Sequence, residues 1–289
     1  MLALFAVLAI PLGLDLYLPA PEDNPVIPET IERGRRLFFD RRLSRDGSIS
    51  CASCHDPARA FADGRALAKG VFGRVGRRSS PALINRGYGR LFFWDGRSRS
   101  LKQQVLLPIQ DPNEMDLSLE EASARVGMDT RGISQALATF IRAILSGGSP
   151  YDRFVNGDRT ALTAEQKLGL QLFRGKGNCS ACHAGPNFSD ETLHNTGVAW
   201  GDGKLIDAGA GRGDFKTPTL REIVRTAPYM HDGSLAELQD VIDYYDGGGR
   251  RNPALDPEIR PLRLSTFEKE ALIAFLGALS GRVQHDASR

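Results

Sequence analysis

Two C-x-x-C-H motifs constrain this chain more than any other feature of its sequence. The 289 residues include four cysteines, and all of them lie in these motifs: Cys51, Cys54, Cys179 and Cys182. Each cysteine pair is followed directly by a histidine, His55 in the first motif and His183 in the second. No cysteine therefore remains for a structural disulfide.

The motif is the attachment signature of c-type haem, in which two thioether bonds hold the porphyrin and the histidine ligates the iron. C-x-x-C pairs also occur in thioredoxin-like redox proteins and in zinc sites. Thioredoxin-like motifs normally follow a strand, whereas these follow helical Gly-x-x-Leu-Phe patterns. A zinc site built from the four cysteines would leave both adjacent histidines unexplained. The sequence therefore predicts two covalently bound haem c groups, with His55 and His183 as iron ligands.

The surroundings of the two motifs form an internal repeat. Gly34–Phe38 precedes the first motif in the same way that Gly169–Phe173 precedes the second. A matching Phe-Ala-Asp or Phe-Ser-Asp follows each motif, beginning at Phe61 and Phe188. The repeat indicates that one structural unit is used twice.

Each half also ends in an apolar helical pattern, over residues 133–145 and 267–279, and each pattern ends before a glycine, as helices often do. Gly, Ser, Pro and Asp accumulate over residues 147–163, which we predict to link the halves. The sequence thus predicts a mainly α fold of two cytochrome c-like domains, one over residues 21–150 and one over residues 151–289.

The apolar run at Leu2–Ile10 predicts a signal segment, or a retained anchor, over residues 1–20. The run is too short to span a bilayer comfortably, and we predict no membrane helix elsewhere in the chain. Together with the haem motifs, this segment predicts export to the periplasm. The 37 basic and 35 acidic residues are interspersed, so the chain lacks the charge distribution of a nucleic-acid-binding protein.

From about Pro19 to Gly281 the chain resembles the bacterial di-haem cytochrome c peroxidase and MauG family. The resemblance rests on both haem motifs and on three further segments: Phe93–Arg97, Gln104–Met115 and Thr226–Gly233. It implies two cytochrome c-like domains packed face to face, with the haems near their interface. It also implies an oxidoreductase that reduces hydrogen peroxide to water at the first haem, with electrons passed through the second.

The loop after the first motif predicts an open first haem. Residues 56–93 contain no histidine and no methionine, whereas reductively activated members of the family cap this haem with a histidine from that loop. The family resemblance further implies that Glu114 transfers the peroxide proton, that Gln104 donates a hydrogen bond and that Pro108 shapes the pocket. Taken alone, Glu114 would be interpreted as a solvated loop acid, as most glutamates are, but the match of the whole Gln104–Met115 segment reverses that interpretation.

Four side chains are candidate ligands of the second haem: Met230, His231, Tyr244 and Tyr245. Residues 234–246 predict a helix that begins in a capping box of Ser234 and Glu237. In that helix Tyr245 lies on the apolar face and Tyr244 lies off it. The resemblance adds that this position carries methionine in ordinary peroxidases and tyrosine in the MauG type. We therefore predict Tyr245 as the ligand, with Met230 as the alternative.

The resemblance also assigns roles between the haems. It implies that Trp94 relays electrons and that a calcium ion is held by Thr226 and Pro228, with Asn85 as a weaker third candidate. A packing role for the tryptophan remains the alternative. We predict a structural role for His194.

Three functions follow from the sequence as candidates. One is a peroxidase supplied with electrons by a small cytochrome c or a cupredoxin, and another is a MauG-type oxidase that modifies tryptophan or another residue of a partner protein. The third is a non-enzymatic electron-transfer cytochrome. An electron carrier usually keeps both irons six-coordinate, so the uncapped first haem and the presence of Gln104 and Glu114 argue against it. We predict an enzyme that acts on peroxide.

Overall fold

The computed structural model describes residues 8–285 and is mainly helical, as predicted. The α-helices of this part of the chain are α1 (Pro28–Phe38), α2 (Leu101–Gln104), α3 (Leu107–Gln110), α4 (Leu119–Val126), α5 (Thr130–Arg142), α6 (Pro150–Val155), α7 (Ala164–Arg174), α8 (Leu238–Asp246) and α9 (Thr266–Gly277). Short strands form three antiparallel pairs, β1 (Leu145–Gly147) with β6 (Arg282–Gln284), β2 (Leu193–His194) with β5 (Phe215–Lys216), and β3 (Trp200–Gly201) with β4 (Lys204–Leu205).

The same helix crossing occurs in both halves. Helix α1 packs on α5 at Gly34, where a Cβ atom would come closer than 3.0 Å to the carbonyl oxygen of Ala136. Helix α7 packs on α9 at Gly169, where a Cβ atom would meet the carbonyl oxygen of Ala271 in the same way. Glycine is needed at both crossings because the two backbones approach too closely for any side chain. The repeat in the sequence is therefore a repeat of helix packing.

A cluster of three phenylalanines fills each core. In the first half the rings of Phe38 and Phe140 lie 5.0 Å apart, with Phe61 at 5.9 Å from Phe38. In the second half the rings of Phe173 and Phe275 lie 5.2 Å apart, and those of Phe173 and Phe188 lie 6.0 Å apart. Aromatic side chains bury large areas and favour such tilted and edge-on contacts. In each half one ring comes from the Phe-x-Asp segment that follows the haem motif, so the core fixes that segment.

Three element boundaries differ from the sequence prediction. Helix α5 ends at Arg142, and residues 145–147 form a strand because they pair with β6. Residues 147–163, predicted as a linker, contain helix α6. Helix α8 begins at Leu238, so the predicted start at Ser234 is wrong: Glu237 is the N-cap residue, and its capping box is completed by Asp240.

One buried and one half-buried ion pair join the two halves. Arg86 and Glu191 form an ion pair at 2.6 Å with both side chains buried. Arg78 reaches across to Asp207 through two hydrogen bonds of 2.8 Å. Breaking a buried ion pair leaves an uncompensated charge and typically costs about 3–5 kcal/mol. These pairs, together with the β1–β6 pairing, fix the orientation of one domain against the other.

Residues 8–20 lie against both halves. The carbonyl oxygen of Gly13 accepts a hydrogen bond of 2.9 Å from the buried guanidinium of Arg221. Tyr88, in the first half, donates to the carbonyl oxygen of Asp15 at 2.7 Å. Leu14 between them is buried.

The segment predicted as signal or anchor therefore divides into two parts. Residues 1–7 lie outside the described residues, and residues 8–20 contact the domains through Gly13, Leu14 and Asp15 as above. Within residues 8–285 the structure has no helix of the length and hydropathy needed to cross a membrane.

Candidate haem and peroxide site

A cavity of about 750 Å³ runs between the two halves and reaches both cysteine motifs. Its wall contains Cys54 and His55 at one end and Cys179, Cys182 and His183 at the other. Its size falls within the range of small-molecule and cofactor sites. The repeated halves thus turn their equivalent motifs toward one shared space.

The two motif histidines have the same hydrogen bond. Nδ1 of His55 lies 3.0 Å from the carbonyl oxygen of Phe61, and Nδ1 of His183 lies 2.9 Å from that of Phe188. Both phenylalanines have positive φ, 60° and 51°, in the turn that presents these carbonyls. Burial lowers the pKa of both imidazoles and so favours their neutral form. A neutral ring that donates from Nδ1 leaves the Nε2 lone pair free for a metal, as ligating histidines do.

The cysteines are unpaired in the structure. Burial raises the pKa of Cys51 to about 12, that of Cys54 to about 11 and that of Cys179 to about 12. Zinc ligation and disulfide exchange both use the thiolate, which such surroundings disfavour. A thioether carries no charge and suits them. The histidines and cysteines therefore fit two c-type haems better than the zinc or thioredoxin-like alternatives.

The predicted proton-transfer group lies in the same cavity. Glu114 is half-buried in its wall, together with Gln104 and Pro108. The pKa of Glu114 is raised to about 7, mainly by burial and to a lesser extent by the carboxylate of Asp111, while the guanidinium of Arg97 opposes the shift. A carboxyl group with this pKa can both accept and return a proton near neutral pH. The three residues predicted for the first haem pocket thus line the same cavity, and their roles stay predictions.

The tyrosines of helix α8 have separate surroundings, as the helical register predicted. Tyr245 lines the cavity near the second motif, where Cys182 and Cys179 contribute to a raised pKa of its phenol. Burial raises the pKa of Tyr245 above its usual value, the neighbouring Tyr244 raises it further, and Thr196 opposes the shift. The hydroxyl of Tyr244 instead donates to the carbonyl oxygen of Thr196 at 2.9 Å. Tyr245 is therefore the tyrosine available to a cofactor at the second motif.

Met230 also lines the cavity, but its turn faces the first domain. Gly233 of this turn packs against the backbone of Ala66, with no room for a side chain between them. The backbone N–H of Ser79 donates to the carbonyl oxygen of His231 at 2.7 Å. These contacts hold the turn against the loop that follows the first motif and favour Tyr245 over Met230 at the second.

Trp94 lies at the boundary of the two domains and lines the cavity. Its Nε1 donates to the carbonyl oxygen of Ser79 at 2.8 Å. Its own carbonyl oxygen accepts a hydrogen bond of 2.7 Å from the backbone N–H of Lys216, in strand β5. Hydrogen bonds to both domains therefore fix the tryptophan at their boundary, and its role as an electron relay stays a prediction.

The three residues predicted to hold calcium have different surroundings. Thr226 and Pro228 line the cavity. Asn85 is fully buried and lies outside its lining. The Asn85 side chain accepts from the backbone N–H of Ser146 at 2.8 Å and donates to Asn187 at 3.1 Å. The side-chain oxygen keeps a second lone pair beside this hydrogen bond, so Asn85 stays the weaker third candidate for a calcium ligand.

Two further histidines have structural surroundings. The ring of His231 stacks on Phe215 at 3.7 Å, which accounts for it without ligation of the second haem. His194 lies between two carboxylates, with Nδ1 2.6 Å from Asp256 and Nε2 2.8 Å from Asp190. These contacts agree with the structural role predicted for His194.

The environment of His194 depends on the second motif. The Cys182 thiol, and then the carboxylates of Asp256 and Asp190, raise the pKa of His194 to about 10. A thioether at Cys182 removes the first contribution and leaves the two carboxylates. Ligating atoms of Cys182, Asp190 and His194 all lie within 4.8 Å of one another, but haem attachment uses the sulfur. We therefore assign no separate metal site to this group.

Comparisons with known proteins agree with this site. The family model of the di-haem cytochrome c peroxidases matches residues 28–160. The methylamine utilization protein MauG of Methylorubrum extorquens is 40% identical, over 91% of this chain and 81% of its own length. The chain belongs to the di-haem cytochrome c peroxidase and MauG family. The resemblance inferred from the motifs is confirmed.

Other members of the family cover the chain to a similar extent. The cytochrome-c peroxidase IdrP2 of Denitromonas iodatirespirans is 36% identical over 90% of this chain and 84% of its own. The crystal structure of a MauG-like protein associated with microbial copper homeostasis has a TM-score of 0.83 and 33% identity, covering 93% of this chain and 94% of that one. As a member of this di-haem family, the protein is an oxidoreductase that acts on peroxide. The predicted fold of two cytochrome c-like domains is confirmed as well.

Proposed function

We propose that peroxide is reduced in the pocket of the first motif, where Glu114 transfers the proton. The reaction converts one hydrogen peroxide, two protons and two electrons into two molecules of water. The observation that carries this proposal is the position of Glu114 in the cavity wall beside Gln104 and Pro108, with a pKa of about 7. The electrons come from outside the chain, because its four cysteines are used for haem attachment.

The cofactor sites follow from the two motifs. Cys51 and Cys54 attach the first haem and Cys179 and Cys182 the second, with His55 and His183 as the respective ligands. The haem irons supply a binding position for peroxide and the means of storing oxidising equivalents. Each histidine is held by its Nδ1 contact to a backbone carbonyl, which would leave the Nε2 lone pair free to bind the haem iron.

Glu114 and Gln104 act on the peroxide itself. The Glu114 carboxylate accepts the proton of the near peroxide oxygen and returns it to the far oxygen, which leaves as water. Gln104 donates a hydrogen bond that orients the peroxide, and Pro108 limits the space beside it. Proton transfer by a positioned side chain typically contributes about 10²–10⁴-fold to the rate.

Tyr245 is the proposed second ligand at the second motif. Its buried position near Cys179 and Cys182 supports this assignment. An anionic oxygen ligand favours the higher oxidation state of iron and lowers its reduction potential. Binding to iron also offsets the cost of burying a phenolate. Trp94, fixed between the domains, is proposed to carry electrons from one site to the other.

The partner, compartment and bound cation belong to this proposal too. We propose a small cytochrome c or a cupredoxin as the electron donor, in the periplasm. Tyr245 also supports a second candidate function, oxidation of a residue such as tryptophan on a partner protein, as in MauG-type enzymes. Thr226 and Pro228 remain the proposed calcium ligands, with Asn85 as a weaker third candidate.

The test is to mix the fully oxidised protein with hydrogen peroxide and to follow its visible and electron paramagnetic resonance spectra. We expect a reaction without prior reduction, because residues 56–93 supply no histidine or methionine to cap the first site. Glu114→Gln should slow it by about 10²–10⁴-fold. Glu120→Gln, at an exposed acid of helix α4, is the control and should react like the wild type. Turnover only after reduction, or an unchanged rate in Glu114→Gln, would contradict the proposal.

A further inference from the structure

The backbone of Glu114 is in contact with the loop that follows the first haem motif. The backbone N–H of Val71 donates to the carbonyl oxygen of Glu114 at 2.8 Å. Next to this bond, Gly70 lies directly against the same segment. A Cβ atom at Gly70 would come closer than 3.0 Å to the carbonyl oxygens of Asn113 and Glu114. Both Gly70 and Glu114 line the cavity.

Glycine is required at position 70 because the backbone of Asn113 and Glu114 is too close for a side chain, and not because of the backbone conformation of Gly70. Gly70 has φ −92° and ψ −163°, which any residue can adopt. Alanine would therefore meet no torsional strain there. Its methyl group would instead need space now occupied by two backbone oxygens, which cannot move without moving their own residues. Substitution at Gly70 thus displaces Glu114 directly.

The segment that carries Glu114 is held from other sides as well. The N–H of Glu114 donates to the carbonyl oxygen of Asp111 at 3.0 Å, and that of Met115 donates to Pro108 at 3.1 Å. The Met115 side chain is buried in the first core. Arg74, from the loop of Gly70, forms an ion pair with Asp116 at 3.0 Å. With these anchors in place, the segment cannot retreat from a methyl group at Gly70 while keeping the carboxyl group where it is.

We propose that Gly70 is a positioning residue for Glu114: its missing side chain allows the loop after the first motif to hold the Glu114 backbone so that the carboxyl group faces the peroxide pocket. This inference rests on the acid–base role proposed for Glu114. It predicts that a single added methyl group impairs peroxide cleavage through Glu114 alone.

The test uses rapid mixing of the oxidised holoprotein with hydrogen peroxide. The variants are Gly70→Ala, Glu114→Gln and the double substitution, with Gly76→Ala as the control. A Cβ atom at Gly76 meets its nearest neighbour, in Ala68, at an ordinary 3.5 Å. We expect Gly70→Ala to slow the reaction at least about 10-fold, a loss of rate typical of a misplaced acid–base group. Gly76→Ala should leave the rate unchanged. The double variant should be no slower than Glu114→Gln, because the two changes act on one group.

The pH dependence distinguishes positioning from general damage. Charged groups facing Glu114 are Asp111 and Arg97, and the nearby sulfur atoms of Cys51 and Cys54 carry no charge as thioethers. Displacement in Gly70→Ala should open the carboxyl group to water, so the midpoint of the pH profile should fall from about 7 toward the ordinary value of 4.5. A damaged fold would lower the rate without moving this midpoint.

The rates of these variants distinguish a failure of the proposed function of Glu114 from a failure of the positioning role of Gly70. If Glu114→Gln reacts like the wild type, the proposed function fails. If Glu114→Gln is slow but Gly70→Ala is not, or if their effects multiply in the double variant, the positioning role fails. Should Gly70→Ala not accumulate with both haems, Arg74→Gln carries the test, because it loosens the same two loops from a more exposed site. Slowing that disappears in the Glu114→Gln background supports the proposal, and a wild-type rate overturns it.

Discussion

The pKa of Glu114 predicts how the peroxide reaction depends on pH. If the carboxylate is the group that accepts the proton, the rate follows its ionised fraction. With a pKa of about 7, roughly a tenth of the groups are ionised at pH 6 and roughly nine-tenths at pH 8, so the rate should rise about 10-fold between them. With the ordinary value of 4.5, the ionised fraction would change by less than about 5% over the same range.

The assay is the rate of the spectral change after mixing oxidised protein with peroxide, at constant ionic strength from pH 5 to pH 9. Glu114→Gln should be slow and should lose the inflection near pH 7, because an amide does not titrate there. Arg97 opposes the upward shift, so Arg97→Met should move the inflection to higher pH. One variant should therefore remove the inflection and the other should move it, if the inflection belongs to Glu114.

A wild-type profile that is flat between pH 6 and pH 8 would refute this reasoning, since it would mean that Glu114 is solvated and ionised throughout. An inflection that persists unchanged in Glu114→Gln would assign the titration to another group.

Three further predictions concern the second site and the packing. Replacing Tyr245 by phenylalanine should change the spectrum of the six-coordinate haem, whereas Tyr244→Phe should not; the opposite pattern would exclude Tyr245. Gly169→Ala should lower the free energy of unfolding by about 1–3 kcal/mol in urea titrations through overpacking. Gly277→Ala should raise it by up to about 1 kcal/mol, because an added Cβ atom there would meet no atom within 4 Å outside its own helix backbone. Leu14→Ala should lower it by about 2–3 kcal/mol, and an unchanged urea midpoint would mean that residue 14 is not part of the folded protein.

The repeated unit could be predicted from the sequence because its signals are local. The Gly-x-x-Leu-Phe patterns and the Phe-x-Asp segments are short and recur at equivalent places. In the structure they become the helix crossings at Gly34 and Gly169 and the phenylalanine clusters containing Phe61 and Phe188. Register along helix α8 also distinguished Tyr245 from Tyr244, since a helix of known direction fixes which side chains share a face.

Features that join distant parts of the chain were not predictable in this way. The strand at residues 145–147 forms because residues 282–284 pair with it, and the local pattern there continues as a helix. The start of helix α8 depended on which of two plausible caps is used, and Glu237 rather than Ser234 is the N-cap residue. Neither the sequence around Arg86 nor that around Glu191 contains a pattern that predicts their ion pair.

The candidate site shows the same division. Residue types identified the cysteines, the histidines and Glu114, since each belongs to a motif. The engagement of Asn85 by Ser146 could not be anticipated, because it depends on the packing of the domain boundary. The closeness of Gly70 to Glu114 likewise appears only in three dimensions. Sequence patterns thus supplied candidate reacting groups, whereas the contacts that position them required the structure.

The central claim is that each C-x-x-C-H motif attaches one haem covalently. Its most direct test is the intact mass of the purified protein after acid–acetone extraction, compared with that of the Cys179→Ala/Cys182→Ala variant. The wild type should retain two haems and the variant one, held at Cys51 and Cys54. A colourless protein, or haem lost from the wild type on extraction, would contradict the account.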